Sequence, residues 1–201
     1  ALALYWDCKL GGSQRAGTSY AVGEVWGRRG GDLYFLDEVR FRGGLAEVLD
    51  ATDRLVARYP ALAAAGGAIV IEPKASGPDA IDTLKRRYPN VIADDLRAGG
   101  AGSELSKRQR MEAVAPVFRA GSVWQPPPRH APWIGEWREE VLAHPNGRYN
   151  DRGDATSGAL RYLLARPVRG GVVARPGVSA KPDWTGGGDL SFGSVAVEDE
   201  A

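Results

Sequence analysis

The sequence predicts a mixed α/β domain in which three antiparallel strands are followed by parallel strands, with helices flanking one sheet. Three observations predict it. Two runs of strand character, "TSYAVGEVW" and "DLYFLDEVRF", are joined by the Gly- and Asp-containing "GRRGGD", which makes an antiparallel hairpin. An apolar run at 2–8, "LALYWDC", precedes them and completes a three-stranded meander. Beyond the hairpin the apolar spacing turns helical, and short apolar runs then alternate with helical segments.

Each element follows in order. The Gly-rich "LGGSQRAG" links the first strand to the hairpin, and Ser13, Thr18 and Ser19 are read as loop and strand polar groups. Leu45, Val48, Leu49, Thr52, Leu55, Val56 and Tyr59 recur at helical spacing, and Pro60 follows the helix. "AIVIE" at 68–72 is a tight strand, a short helix turns Ile81 and Leu84 inward, and "VIA" at 91–93 is the next strand. Past the Gly-rich "RAGGAGSE", a helix carries Met111, Val114, Val117 and Phe118, and "SVW" is a short strand. The prolines of "QPPPRHAPW" exclude helix until about Trp133. The helix "WIGEWREEVLAH" then presents Trp133, Trp137 and Val141 at a spacing that favours core packing over base stacking. A last helix runs through Ala155, Leu160, Leu163 and Leu164, behind Asp151 and Asp154. Residues 167–201 are rich in Gly and Pro without periodicity, so one domain is expected over 1–166 and a flexible tail after it.

Composition narrows the function. An apolar fraction of 43% and a charged fraction of 25% in 201 residues describe a globular domain with a proper core. No apolar run approaches the roughly 20 residues that cross a bilayer, and "ALALYWDCKL" has no basic leader region. The single cysteine, Cys8, excludes an internal disulfide and a Cys-rich zinc site, and favours a reducing, intracellular setting. The net charge of +1 splits into −2 over 167–201, from three basic and five acidic residues, and therefore +3 over the rest. Basic residues cluster at Arg28 and Arg29, at Arg40 and Arg42, at 85–87 and at 107–110, where a solvated face is the ordinary explanation.

The acids are less ordinary. Asp7 sits inside the first apolar strand and Glu72 ends another, just before a Gly/Pro loop. Acids are disfavoured in strands, and α/β sheets place their ligands at the carboxyl ends of strands. Asp151 and Asp154 come from the entry to the last helix; a capping role explains Asp154 but not the pair. Carboxylates about 4 Å apart repel by roughly 4 kcal/mol at an effective dielectric near 20, so such a cluster takes up protons or binds a cation. Oxygen ligands alone select Mg²⁺ or Mn²⁺. His130 and His144 lie beside prolines in loops and are read as structural or solvated, which argues against zinc. Carboxylates holding two divalent ions suit in-line displacement at a phosphodiester. Lys107 and Arg110 open a helix and could contact phosphates, as could Lys74, which could equally neutralise the acids.

In order along the chain stand "YWDCK", "GTSYAVGEV", "YFLDEVRFRG", "IVIEPKASGPDAI", "SKRQRMEAVAPVFRAGSVW" and "HPNGRYNDRGDATSGAL". With these motifs the chain, from about residue 2 to 165, resembles the C-terminal nuclease domain of the large terminase subunit of tailed double-stranded DNA phages. The resemblance implies a ribonuclease H-like fold and an endonuclease that cuts double-stranded DNA with little sequence preference during genome packaging. It implies that Asp7, Glu72 and Asp151 are catalytic metal ligands for two Mg²⁺ or Mn²⁺ ions, with Asp154 a supporting or alternative ligand. Members of that family often carry two adjacent aspartates where this chain has Asn150 and Asp151, which leaves Asp151 and Asp154 as alternatives. The implied partners are an ATPase motor domain, a portal and a small terminase subunit, and the implied setting is the cytoplasm of an infected host. No GxxxxGK[ST] phosphate loop is present, so the chain is expected to be the nuclease part alone, and a monomer. The alternatives are a phosphotransferase of the actin/sugar-kinase type, from "DCKLGGSQRAGTS", and a catalytically silent DNA-binding module.

Overall fold

In strand β1 (Leu2–Asp7) every residue but the first is buried, so both faces of the strand must be covered. The structure, a computed structural model, describes residues 1–8, 20–74, 77–95 and 105–167. Strands β2 (Ala21–Arg29) and β3 (Asp32–Phe41) form the expected hairpin, turning at Gly30 with φ 59°. Helix α1 (Leu45–Arg58) begins where the Glu47 carboxylate accepts from the Gly44 amide at 2.7 Å. Pro60 starts a short 3₁₀ turn, Pro60–Leu62, leading into β4 (Gly67–Ile71). Then follow α2 (Gly77–Lys85), β5 (Val91–Ala93), α3 (Lys107–Arg119), β6 (Val123–Trp124), α4 (Ile134–Ala143) and α5 (Asp151–Leu164). None of these helices is long and apolar enough to cross a membrane.

The sheet order is β5-β4-β1-β2-β3-β6. β1, β2 and β3 pair antiparallel, whereas β4 joins β1, β5 joins β4 and β6 joins β3 in parallel. This is the expected mixed sheet, with β6 added at the hairpin edge, a placement that the apolar pattern alone does not specify.

Two cores lie on opposite faces. Leu4, Trp6, Ile69 and Ile71 pack with α1 and α2. Ala3, Tyr5, Ala68 and Val70 pack with residues of α3, α4 and α5. The period of two along a strand produces this split.

In β3 the period breaks. Val25 pairs with Asp37 and Trp26 with Phe35, so Leu36 is an extra residue. The bulge flips the following side chains, so Asp37 meets Arg58 of α1 while Glu38 meets Arg152 of α5. Residues 168–201, and with them nearly all of the expected tail, lie outside the described residues. So do residues 9–19, with Ser13, Thr18 and Ser19, and residues 96–104 of the second Gly-rich loop.

Candidate active site

β1 and β4 run in register to Trp6 and Ile71, and the Glu72 amide donates to the Trp6 carbonyl at 3.0 Å. Asp7 and Glu72 therefore leave neighbouring strands side by side, at a strand spacing of about 4.8 Å. Alternation places both on the face of Tyr5 and Val70, beneath α3 and α5. Cys8 belongs to the opposite core, where burial, then Asp7 and Glu72, push its thiol pKa up.

The third acidic pair arrives from α5. Sequence reading places Asp151 and Asp154 ahead of the helix; the helix in fact begins at Asp151, so both lie in its first turn. Three residues apart, they share one helical face near the positive end of the helix dipole. Asp154 is not the N-cap, since its amide donates to the Asn150 carbonyl at 2.9 Å. The Tyr20 amide, just ahead of β2, donates to Asp151 Oδ2 at 2.9 Å. Because Asp7 stands opposite Val22 of β2, this bond ties the start of α5 to the strand edge that carries Asp7.

All four acids are deeply buried, with exposures of 2% for Asp7, 4% for Glu72, 2% for Asp151 and 1% for Asp154. Buried carboxylates need cations or hydrogen bonds, and α3 supplies cations. "SKRQ" forms a capping box in which Ser106 and Gln109 satisfy each other's amides, fixing Lys107 and Arg110 on one face. Arg110 Nη2 lies 3.1 Å from Asp154 Oδ1, and its Nη1 lies 3.4 Å from Glu72 Oε1. Lys107 Nζ bonds the other oxygen of Asp154, and Lys74 Nζ lies 3.6 Å from Glu72.

Arg110 thus departs from its expected role as a phosphate contact: its side chain is 2% exposed and faces two carboxylates. Lys74 and Lys107 are about half exposed, at 48% and 42%, and stand at the rim where an anion can reach them.

Two further residues belong to this edge. Asp94 directly follows β5, accepts from the Tyr5 hydroxyl at 2.7 Å and lies 3.7 Å from Arg161. Its sequence signal, an acid ending a short apolar strand, is the one that marks Asp7 and Glu72. Burial, more than any neighbour, raises the Asp94 pKa. His144 is the second: its ring is buried, with Nε2 3.4 Å from Asp154 Oδ1, whereas His130 is exposed.

The donor set is hard oxygen from β1, β4 and α5, which suits a divalent cation such as Mg²⁺ or Mn²⁺. Among the described residues no three acidic, imidazole or thiol groups already surround one point. Arg110 and Lys107 engage Asp154, whereas the Tyr20 amide engages Asp151.

Residues 4–163 match the family model of the terminase RNase H-like domain. The chain belongs to that family. No curated protein matches this terminase domain. Among solved structures, the large terminase of a thermophilic bacteriophage, bound to ATP-γ-S, is similar at 12% identity and a TM-score of 0.55. That match covers 81% of the present chain and 40% of the phage protein, so the domain spans about two fifths of that relative. The nuclease domain of the large terminase from bacteriophage SPP1, solved with bound Mn, matches at 15% identity and a TM-score of 0.50. It is covered over 85% of its length by 81% of this chain. At these identities the two structures show the shared RNase H-like fold.

Proposed function

We propose that this terminase domain is a divalent-metal-dependent endonuclease that cuts double-stranded DNA with little sequence preference while a viral genome is packaged. One observation carries the reading: buried acids distant in sequence meet on one face at one sheet edge, Asp7 beside Glu72 and Asp151 tied to them through Tyr20. The family match supports it, and gives no support to the phosphotransferase alternative. The manganese in the SPP1 nuclease domain supports a hard divalent ion here.

Asp7, Glu72 and Asp151 would hold the ions. Bound there, two such ions supply an activated water and stabilise the leaving oxygen of the phosphodiester. Asp154 anchors Lys107 and Arg110, which favours Asp151 over Asp154 as the ligand. Lys74 and Lys107, at the rim, meet the phosphates of the cut strand. An ATPase motor, a portal and a small terminase subunit are the partners of a complete packaging machine, and the infected cell's cytoplasm is its setting.

The test is cleavage of supercoiled plasmid by the chain with Mg²⁺ or Mn²⁺. Wild type relaxes and linearises the plasmid, and EDTA stops it. Asp7→Asn lowers the rate at least about 100-fold. Without metal it leaves the melting temperature unchanged or raised, because it removes one charge from a repelling cluster. Intact plasmid after incubation with folded wild-type protein, or full activity in Asp7→Asn, sinks the reading.

A further inference from the structure

Beside the acids, on the same face, stands a cluster of arginines and tyrosines for which the metal chemistry has no use. Arg40 Cζ lies 3.8 Å above the centre of the Tyr20 ring, and Arg42 Cζ lies 4.6 Å from it. The Tyr20 and Tyr149 rings meet edge to face at 5.4 Å. Arg148 Cζ sits 5.2 Å from the Tyr149 ring, and Arg40 5.4 Å from it. Both tyrosines are bound to the acidic site by the backbone: the Tyr20 amide holds Asp151, and Tyr149 lies two residues before it.

The charges are not alike. Arg40 is mostly buried and meets Glu140 at 3.1 Å. Arg42 and Arg148 are exposed, and among the described residues neither pairs with a carboxylate. Ring contacts restrain both side chains without neutralising them, which leaves N–H donors available to an anion. A solvated basic face needs no such ring contacts and no fixed place beside an acidic site.

Position identifies the anion. β3 ends at Phe41, opposite Ala21 of β2, while Asp7 lies opposite Val22. Arg40, opposite Val22, therefore stands two strand spacings from Asp7, and Arg42, two residues further on, stands about 12 Å from it. One strand of duplex DNA advances about 3.4 Å per nucleotide along the helix axis, so a separation of about 12 Å is within a few nucleotides. Resting on the nuclease reading above, we propose that Arg42 and Arg148, held by Tyr20 and Tyr149, form a second phosphate-binding site. It grips the DNA backbone within a few nucleotides of the cut, on the side of β1 away from Lys74.

The test is fluorescence anisotropy with a labelled duplex of about 20 base pairs, in Ca²⁺ rather than Mg²⁺, over a KCl series. Each phosphate contact contributes about 0.9 to the slope of log Kd against log salt, so Arg42→Gln/Arg148→Gln is expected to lower that slope by about 2. Affinity falls about 10-fold or more at low salt. Lys85→Gln/Arg86→Gln, at the far end of α2, leaves the slope unchanged. Both pairs are surface residues, and equal melting temperatures report that the fold is kept. If wild type binds and cuts DNA but the Arg42/Arg148 double variant keeps its slope, the second site is overturned and the nuclease reading stands. If folded wild type neither binds nor cuts, both fall.

Discussion

The guanidinium of Arg110 lies where the site's negative charge is densest, 3.4 Å from Glu72 and 3.1 Å from Asp154. Burial opposes its charge, and Glu72, Asp154, Tyr5 and Asp7 outweigh burial, so its pKa is raised. Arg110 thus acts as a built-in counter-ion that lets Glu72, after β4, and Asp154 of α5 pack together. Arg110→Gln leaves two carboxylates without that cation, a loss of about 3 kcal/mol or roughly 6–12 °C in melting temperature. Adding Mn²⁺ returns part of that loss, so the metal-induced shift is larger in the variant than in wild type. A metal-free variant that melts with wild type removes Arg110 from this role. Asp7 and Glu72 are legible in the sequence because an acid ending an apolar strand opposes strand propensity. Arg110 is not, because a basic residue on an amphipathic helix ordinarily faces water, and its partners lie 38 and 44 residues away.

At the scale of elements, α5 lies close over β1 because its sequence, "DRGDATSGAL", is poor in large side chains. A Cβ on Gly158 would run into the Tyr5 ring, and one on Gly153 into the His144 ring. In a free helix Gly158→Ala gains about 1 kcal/mol of propensity. Here the methyl group meets a fully buried ring, and a net loss of about 1–3 kcal/mol is expected by urea unfolding. Gly135→Ala in α4, where nothing lies within 4 Å, is the contrast and is neutral or stabilising. Equal effects of the two substitutions would show that α5 does not need its glycines for docking. Elements with strong periodicity, such as α1 and β4, are legible to within a residue or two. The Leu36 bulge is not: one extra residue reverses which side chains face α5, and no turn residue marks it. For that reason the Glu38–Arg152 pair and the face of Arg40 cannot be read from alternation.

For the molecule as a whole, the decisive polar feature is a carboxyl inside the core beneath α4 and α5. Glu24 of β2 is fully buried and accepts from Trp26 Nε1 at 2.7 Å, Trp137 Nε1 at 3.0 Å and Thr156 Oγ1 at 3.0 Å. Its cross-strand partner is Glu38, which Arg152 holds. Burial, then Glu38, push the Glu24 pKa up from 4.5 to about 8, against the three hydrogen bonds, which lower it. A carboxyl whose folded pKa is raised keeps its proton in the folded state while the unfolded chain loses it. Its contribution is fully present below pH 4.5 and is lost as pH rises to about 8. Burial raises the pKa of Glu38 and of Asp94 as well, so they add a slope of the same sign. Unfolding free energy in urea is therefore expected to fall between about pH 5 and pH 8, by a few kcal/mol from Glu24 alone. Glu24→Gln removes the charge, but Trp26 Nε1 donates to one carboxylate oxygen and Trp137 Nε1 to the other, so the new NH2 faces one indole N–H and the variant loses some stability at every pH. Its unfolding free energy lacks the fall that Glu24 gives wild type, so the gap between the two proteins narrows as pH rises from about 5 to about 8. Parallel pH profiles for the two proteins would mean that Glu24 carries its charge in the folded state throughout, satisfied by Trp26, Trp137 and Thr156.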